Sequence, residues 1–230
     1  PSGNVSGTFT TAISQTSDAI DANAPTVASV SVADGTYKIG DTVAVTITAT
    51  GNETGLTLSS ATFNGQTLTG INDVGDGRYT ATYTVVETDA DIADGGTVTT
   101  SLAFTDVAGN VGAATTSVTL AAESIDANAP TVTVVSIPDA AMKVGDTVTA
   151  TITVSGATGE TLSLESSTIG GFALGSLSKT DDTTYTATFT VADGGADVAA
   201  GSDIPVSIVL SDPSGNVSGT FTTAISQTSD

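Results

Sequence analysis

The chain contains no cysteine, no histidine and no tryptophan. Without thiols there is no disulfide framework and no thiolate nucleophile. Without imidazole there is no zinc site of the usual type and no side chain that ordinarily titrates near neutral pH. Serine is plentiful, but no histidine stands ready to activate it. Basic residues are nearly as scarce: four Lys and Arg against 25 Asp and Glu give a net charge of −21. Such a chain repels nucleic acid and anionic membrane surfaces and draws cations. No run of 18 apolar residues occurs, and no basic segment followed by an apolar one opens the sequence, so neither a membrane span nor a signal peptide is expected. A paired-carboxylate glycosidase needs two acids across a cleft with aromatic subsites, which a chain without Trp is poorly equipped to build.

What is present points to strands and turns. Thr, Val, Ala, Ser and Gly dominate, and β-branched residues suit a pleated, half-buried surface. Twenty of the 25 acids are Asp, a residue that bonds its own backbone in turns and ligates hard cations through a short side chain. The expected fold class is all-β.

The sequence is also periodic. PSGNVSGTFTTAISQTSD occupies residues 1–18 and, without a substitution, residues 213–230. IDANAPTV at 20–27 returns at 125–132 and GDTV at 40–43 returns at 145–148, a spacing of 105. YTATYTV at 79–85 returns as YTATFTV at 185–191, and DVAGNV at 106–111 aligns with DPSGNV at 212–217, a spacing of 106. The 230 residues therefore divide into a terminal strand segment of a preceding repeat (1–18), a first unit (19–124) and a second (125–230).

Alternation of apolar and polar residues predicts seven strands in the first unit, at 26–33, 41–50, 56–63, 66–70, 78–87, 97–105 and 111–120. Asn64-Gly65 predicts a type I′ hairpin turn. Val43, Val45 and Ile47 share one face, as do Val148, Ala150 and Ile152, the pattern of a sheet with one buried side. Tyr79, Tyr83, Phe104, Tyr185, Phe189 and Phe221 recur at strand spacing and are expected in the core or on a sheet face. About 105 residues in seven short strands fit an immunoglobulin-like sandwich lacking the Cys and Trp of antibody domains. Two such sandwiches in tandem, joined head to tail, are the expected architecture. Three copies of the last strand against two bodies leave one copy unmatched: residues 1–18 are the expected orphan, or, if that segment joins the body that follows it, residues 217–230.

Head-to-tail joining brings opposite loop sets together. It sets Asp89, Asp91 and Asp94 of the first unit near the linker residues Asp126 and Asn128, with Asp212 and Asn216 of the second unit opposite. Calcium takes six to eight oxygens from carboxylates, amides, carbonyls and water, and this gap offers them all. Residues i and i+2 of an extended segment point the same way, so Asp126 and Asn128 can act together. Asp18, Asp21, Asn23 and Asp106 complete the candidate calcium ligands. A structural reading stands beside this one: Asp106 with Asn110, and Asp212 with Asn216, as Asx-type turn caps, and Asp41 and Asp146 as caps bonding local amides. Asp73, Asp76, Asp181 and Asp182 read as solvated turn charges.

With DANAPTV at each unit's start, TYKIGDTV and AMKVGDTV before the second strand, and DVAGNV or DPSGNV near the end, the chain resembles bacterial immunoglobulin-like repeats of giant secreted adhesins, including those exported with RTX repeats. The resemblance implies a cell-surface stalk, outside the cell, that holds a distal ligand-binding domain away from an outer membrane, with calcium at its junctions limiting bending. DANAP also looks like the calcium linker of cadherins, a likeness carried by Asp21, Asn23, Asp126 and Asn128 and lacking that linker's additional Asp. The partners implied are neighbouring repeats of the same chain, in a monomer with no small-molecule substrate. The competing expectation is a binding module that grips a glycan or protein through loops or a sheet edge.

Overall fold

The computed structural model describes Gly3 and residues 5–14, 20–52 and 54–227. Asp18, one of the candidate ligands, lies outside the described residues. The first unit is built from β1 (Val27–Val32), β2 (Gly35–Lys38), β3 (Thr42–Ala49), β4 (Thr57–Phe63), β5 (Gln66–Thr67), β6 (Thr69–Gly75), β7 (Arg78–Thr84), β8 (Thr97–Thr105), β9 (Thr115–Thr119) and β10 (Glu123–Asp126). They form one sheet in the order β1-β3-β7-β6, a second in the order β5-β4-β8-β9, and a parallel pair of β10 with β2. Alternation explains the arrangement: Val43, Val45 and Ile47 of β3 are fully buried while their neighbours face outward. Each such side chain contributes about 1.5–3 kcal/mol relative to exposure.

Aromatic pairs tie the two sheets together. Tyr83 of β7 meets Phe63 of β4 at 5.3 Å between ring centroids, and Tyr79 meets Phe104 of β8 at 4.8 Å. Asn64 and Gly65 both take positive φ, 48° and 82°, the signature of a type I′ turn. The single strand expected at 66–70 is two: the chain leaves β5 and, past the buried Leu68, enters β6 on the opposite sheet.

The second unit runs β11 (Thr131–Ser136), β12 (Thr147–Ser155), β13 (Ser163–Leu164), β14 (Thr168–Ile169), β15 (Phe172–Ala173), β16 (Ser178–Lys179), β17 (Thr184–Thr190), β18 (Val206–Ser207) and β19 (Leu210–Ser211). One sheet, β11-β12-β17-β16, matches its counterpart in the first unit. The other is broken into β15-β14-β18 and β13-β19. Side-chain hydroxyls occupy places that ladder bonds fill elsewhere. Val209 N–H donates to Ser167 Oγ at 3.0 Å, and Leu210 N–H donates to Ser218 Oγ at 2.9 Å. Residues 217–225 close this sheet through bridges of Val217 to Ser211, Phe221 to Ile208 and Ile225 to Ile204. The identical residues Val5, Phe9 and Ile13 are exposed and belong to no strand.

The division expected between residues 124 and 125 falls inside β10. Ile125 and Ala127 are buried in the first core, and Ile125 exchanges both backbone bonds with Ile92 at 2.7 and 2.8 Å. The first unit therefore extends through Ala127. Among the described residues no helix is long and apolar enough to cross a membrane.

Candidate functional site

The chain crosses from one sandwich to the other at Ala127–Asn128, and the acids of both units gather around this crossing. The loop after β7 reaches the linker first. Asp91 Oδ1 accepts from Ala127 N–H at 2.8 Å and from the Asn128 amide at 2.7 Å. Glu87 Oε1 accepts from Ala129 N–H at 3.2 Å, and Thr88 N–H donates to Ala127 O at 3.0 Å. From the second unit comes the turn Asp212–Asn216. Asn216 Nδ2 donates to Asp126 O at 3.2 Å, and Asn216 Oδ1 accepts from Ile39 N–H at 2.9 Å.

Burial and mutual repulsion mark the carboxylates here. Burial raises the Asp126 carboxyl above the usual range; a hydrogen bond from Ser214 opposes this, while the charges of Asp212 and Asp91 add to it. Glu160, in the loop between β12 and β13, is pushed up to about 7 by burial and then by Asp126, Asp212 and Asp91, against weak relief from Lys179. Its loop is fixed, since Glu160 O accepts from Tyr185 Oη–H at 2.8 Å and from Lys179 Nζ at 2.7 Å. Two carboxylate oxygens, Glu160 Oε2 and Asp212 Oδ2, are buried without a hydrogen-bond partner. An unpaired buried charge of this kind is costly unless something neutralises it. No three acidic side chains among the described residues already stand as a ready-made metal-binding group.

The remaining candidates sort by geometry. Asp89 is buried and its oxygens are occupied: Oδ1 accepts from Gln66 Nε2 at 2.6 Å, and Oδ2 accepts from Tyr83 Oη–H at 2.7 Å and Val86 N–H at 3.0 Å. It braces the first core. Asp94 is exposed and does not join the linker contacts. Asp21, Asn23 and Asp106 lie at the far end of the first unit, where Asp21 Oδ1 caps Asn23 N–H at 3.1 Å. Asp106 takes the Asx role: Oδ1 accepts from Asn110 N–H at 2.8 Å and Oδ2 from Asn110 Nδ2 at 2.9 Å, which holds its carboxyl below the usual range. Asp41 and Asp146 cap Lys38 N–H and Lys143 N–H, each at 2.9 Å.

Sequence reasoning missed Glu160 and Glu87. The shift in repeat spacing from 105 to 106 carried a signal for the first. Gly51 and Gly156 share φ 78°, and the buried Leu56 and Leu162 follow them at five and six residues, so the extra residue lies in the loop that holds Glu160.

The family described as Bacterial Ig-like domain matches residues 21–122 and again 126–228. No match is found among curated proteins. Solved structures with a similar trace include the fibronectin(III)-like modules of Clostridium thermocellum CbhA, at 18% identity and a TM-score of 0.34, covering 89% of this chain and 94% of that one. An I-band fragment of titin gives 10% identity and 0.41, covering 90% and 66%. The Yersinia pseudotuberculosis adhesin InvE gives 17% and 0.25, covering 87% and 58%. With the family matched over most of its length in two successive copies, the chain belongs to the bacterial Ig-like domain family as a tandem pair of β-sandwich repeats.

Proposed function

We propose that the pair is a piece of the extender stalk of a large adhesin on a bacterial cell surface, and that calcium bound at the junction stiffens it. The stalk reading rests on the repetition of DANAPTV, GDTV and the terminal eighteen residues at a nearly fixed spacing, and on the absence of cysteine and histidine from the sequence. Its product is reach: the long strands, of eight and nine residues, rise about 26–30 Å, so each repeat adds length of that order.

The observation that carries calcium is the pair of buried, unpartnered oxygens, Glu160 Oε2 and Asp212 Oδ2, at a joint already crowded with Asp91 and Asp126. The donor set is all oxygen, which suits a hard cation of calcium's size and not a soft metal. Asp91, Asp126, Glu160 and Asp212 are the side chains that would hold it. A divalent ion there would neutralise charge that otherwise drives the two units apart.

Calorimetric titration of the chain with calcium is expected to show binding that Asp126→Ala weakens while both sandwiches stay folded. Small-angle scattering is expected to show a longer and narrower distance distribution in calcium than in EDTA. An absence of heat, together with superimposable scattering curves, would remove the ion from the account. A reproducible ligand on a glycan array would instead favour the binding-module reading.

A further inference from the structure

The same turn occurs twice in the chain, as Asp106–Asn110 and as Asp212–Asn216, and its asparagine does different things in the two places. In both, the Asn N–H donates to Oδ1 of the Asp at 2.8 Å, and the Asp N–H donates to the Asn carbonyl at 3.1 Å. The backbones are therefore alike, with Gly109 at φ 96° and Gly215 at φ 90°. At the turn that meets no preceding sandwich among the described residues, Asn110 Nδ2 donates to Asp106 Oδ2 at 2.9 Å and to the linker carbonyl Asp21 O at 3.3 Å. At the joint, the Asn216 amide leaves its aspartate. Nδ2 keeps only the bond to the linker carbonyl, here Asp126 O, Oδ1 accepts from Ile39 N–H of the preceding repeat, and Asp212 Oδ2 is stranded. Asp212 is 6% exposed, so water does not readily replace the lost donor.

We propose that Asn216 is a latch between the two repeats: its Oδ1, by accepting from Ile39 N–H, fixes their orientation without metal, and its Nδ2, by leaving Asp212, uncovers the oxygen that a cation takes. The partner surface is the Lys38–Asp41 turn of the preceding repeat. That turn is closed by Asp41 N–H donating to Lys38 O at 3.0 Å, and it packs the Lys38 stem against Gly215. Undocked, the turn is capped and has no oxygen to offer, as Asp106 shows; docked, it has one. Joint formation and ion binding are thus coupled, each favouring the other. The cation half of this inference rests on the function proposed above; the latch half does not.

The repeated turn supplies its own control. Asn110→Ala removes the side-chain cap and leaves the joint intact, whereas Asn216→Ala removes the bridge. With spin labels on β4 and β12 and EDTA present throughout, the interdomain distance distribution is expected to be narrow for the parent and Asn110→Ala chains and broad for Asn216→Ala. Calcium affinity should fall roughly tenfold in Asn216→Ala, the loss typical of removing a residue that supports metal ligands. A second variant, Ile39→Pro, deletes the N–H that Asn216 accepts without touching the second repeat. Gly40 at φ 88° follows it, a turn geometry that favours proline at this position. It should broaden the distribution in the same way. Narrow distributions in EDTA for both variants would overturn the latch, whatever calcium does. Narrow parent and broad variant distributions with no calcium binding would retain the latch and discard the cation.

Discussion

At the scale of single residues, Asp89 and Glu160 show how one functional group acquires opposite roles from its surroundings. Asp89 accepts three hydrogen bonds inside the first sandwich. Asp89→Ala would strand the Tyr83 hydroxyl and Val86 N–H, at a cost of about 1–3 kcal/mol. Urea unfolding is expected to show that loss in the first sandwich alone, with calcium affinity unchanged; a matching fall in affinity would return Asp89 to the ligand set. Glu160 has the reverse problem, a folded value near 7 against an ordinary 4.5. Between those values the folded chain binds more protons than the unfolded one, so stability in EDTA should fall as pH rises through that window and level off above it. Asp126, also raised, contributes with the same sign. Glu160→Gln should flatten the dependence of the second sandwich's urea midpoint between pH 5 and 8, and an unchanged slope would move the cause to Asp126. Neither role was legible from residue type and spacing. Asp89 sits in an Asp-rich loop that reads as a ligand array, and its partners Gln66 and Tyr83 come from strands whose approach only the fold defines. Glu160 is a lone acid in a turn, and the shift in repeat spacing marks its loop without revealing its role.

At the scale of elements, alternation was enough for long strands and failed for short ones. β3, β7, β8 and β12 each carry a buried row that repeats every second residue, so the pattern survives without knowledge of partners. β2 and β10 are four residues each, and they pair in parallel across roughly ninety residues of chain. A strand that short owes its existence to its neighbour, and the linker sequence ESID offers no period to read. The same limit applies in the second unit, where Ser167 and Ser218 interrupt the sheet through their hydroxyls. The consequence of the β2 and β10 pair is that the linker's first half is part of the first sandwich. Ile125→Ala should therefore cost about 2–5 kcal/mol, the usual range for a large-to-small change in a core. The loss is expected in the unfolding transition of the first sandwich only. Were the second transition to shift instead, Ile125 would belong to the unit that follows it.

At the scale of the whole molecule, two sandwiches with a net charge of −21 repel one another across a joint whose direct contacts are few and polar. Charge repulsion alone would be relieved by any salt, because the screening length falls from about 10 Å at 0.1 M to about 3 Å at 1 M. A diffuse cloud of calcium would act in that general way and would lose its advantage once sodium screened the surface. An ion held by Asp126, Glu160 and Asp212 would not, since two of their oxygens are shielded from water and have no other partner. The two cases separate in a scattering series at 0.1 M and 1 M sodium chloride, each with calcium or EDTA. Site binding predicts that calcium narrows the interdomain distribution at both salt concentrations. A calcium effect that vanishes at 1 M would mean that the joint responds to ionic strength alone, and stiffness would then rest on the Asn216 bridge and the covalent linker.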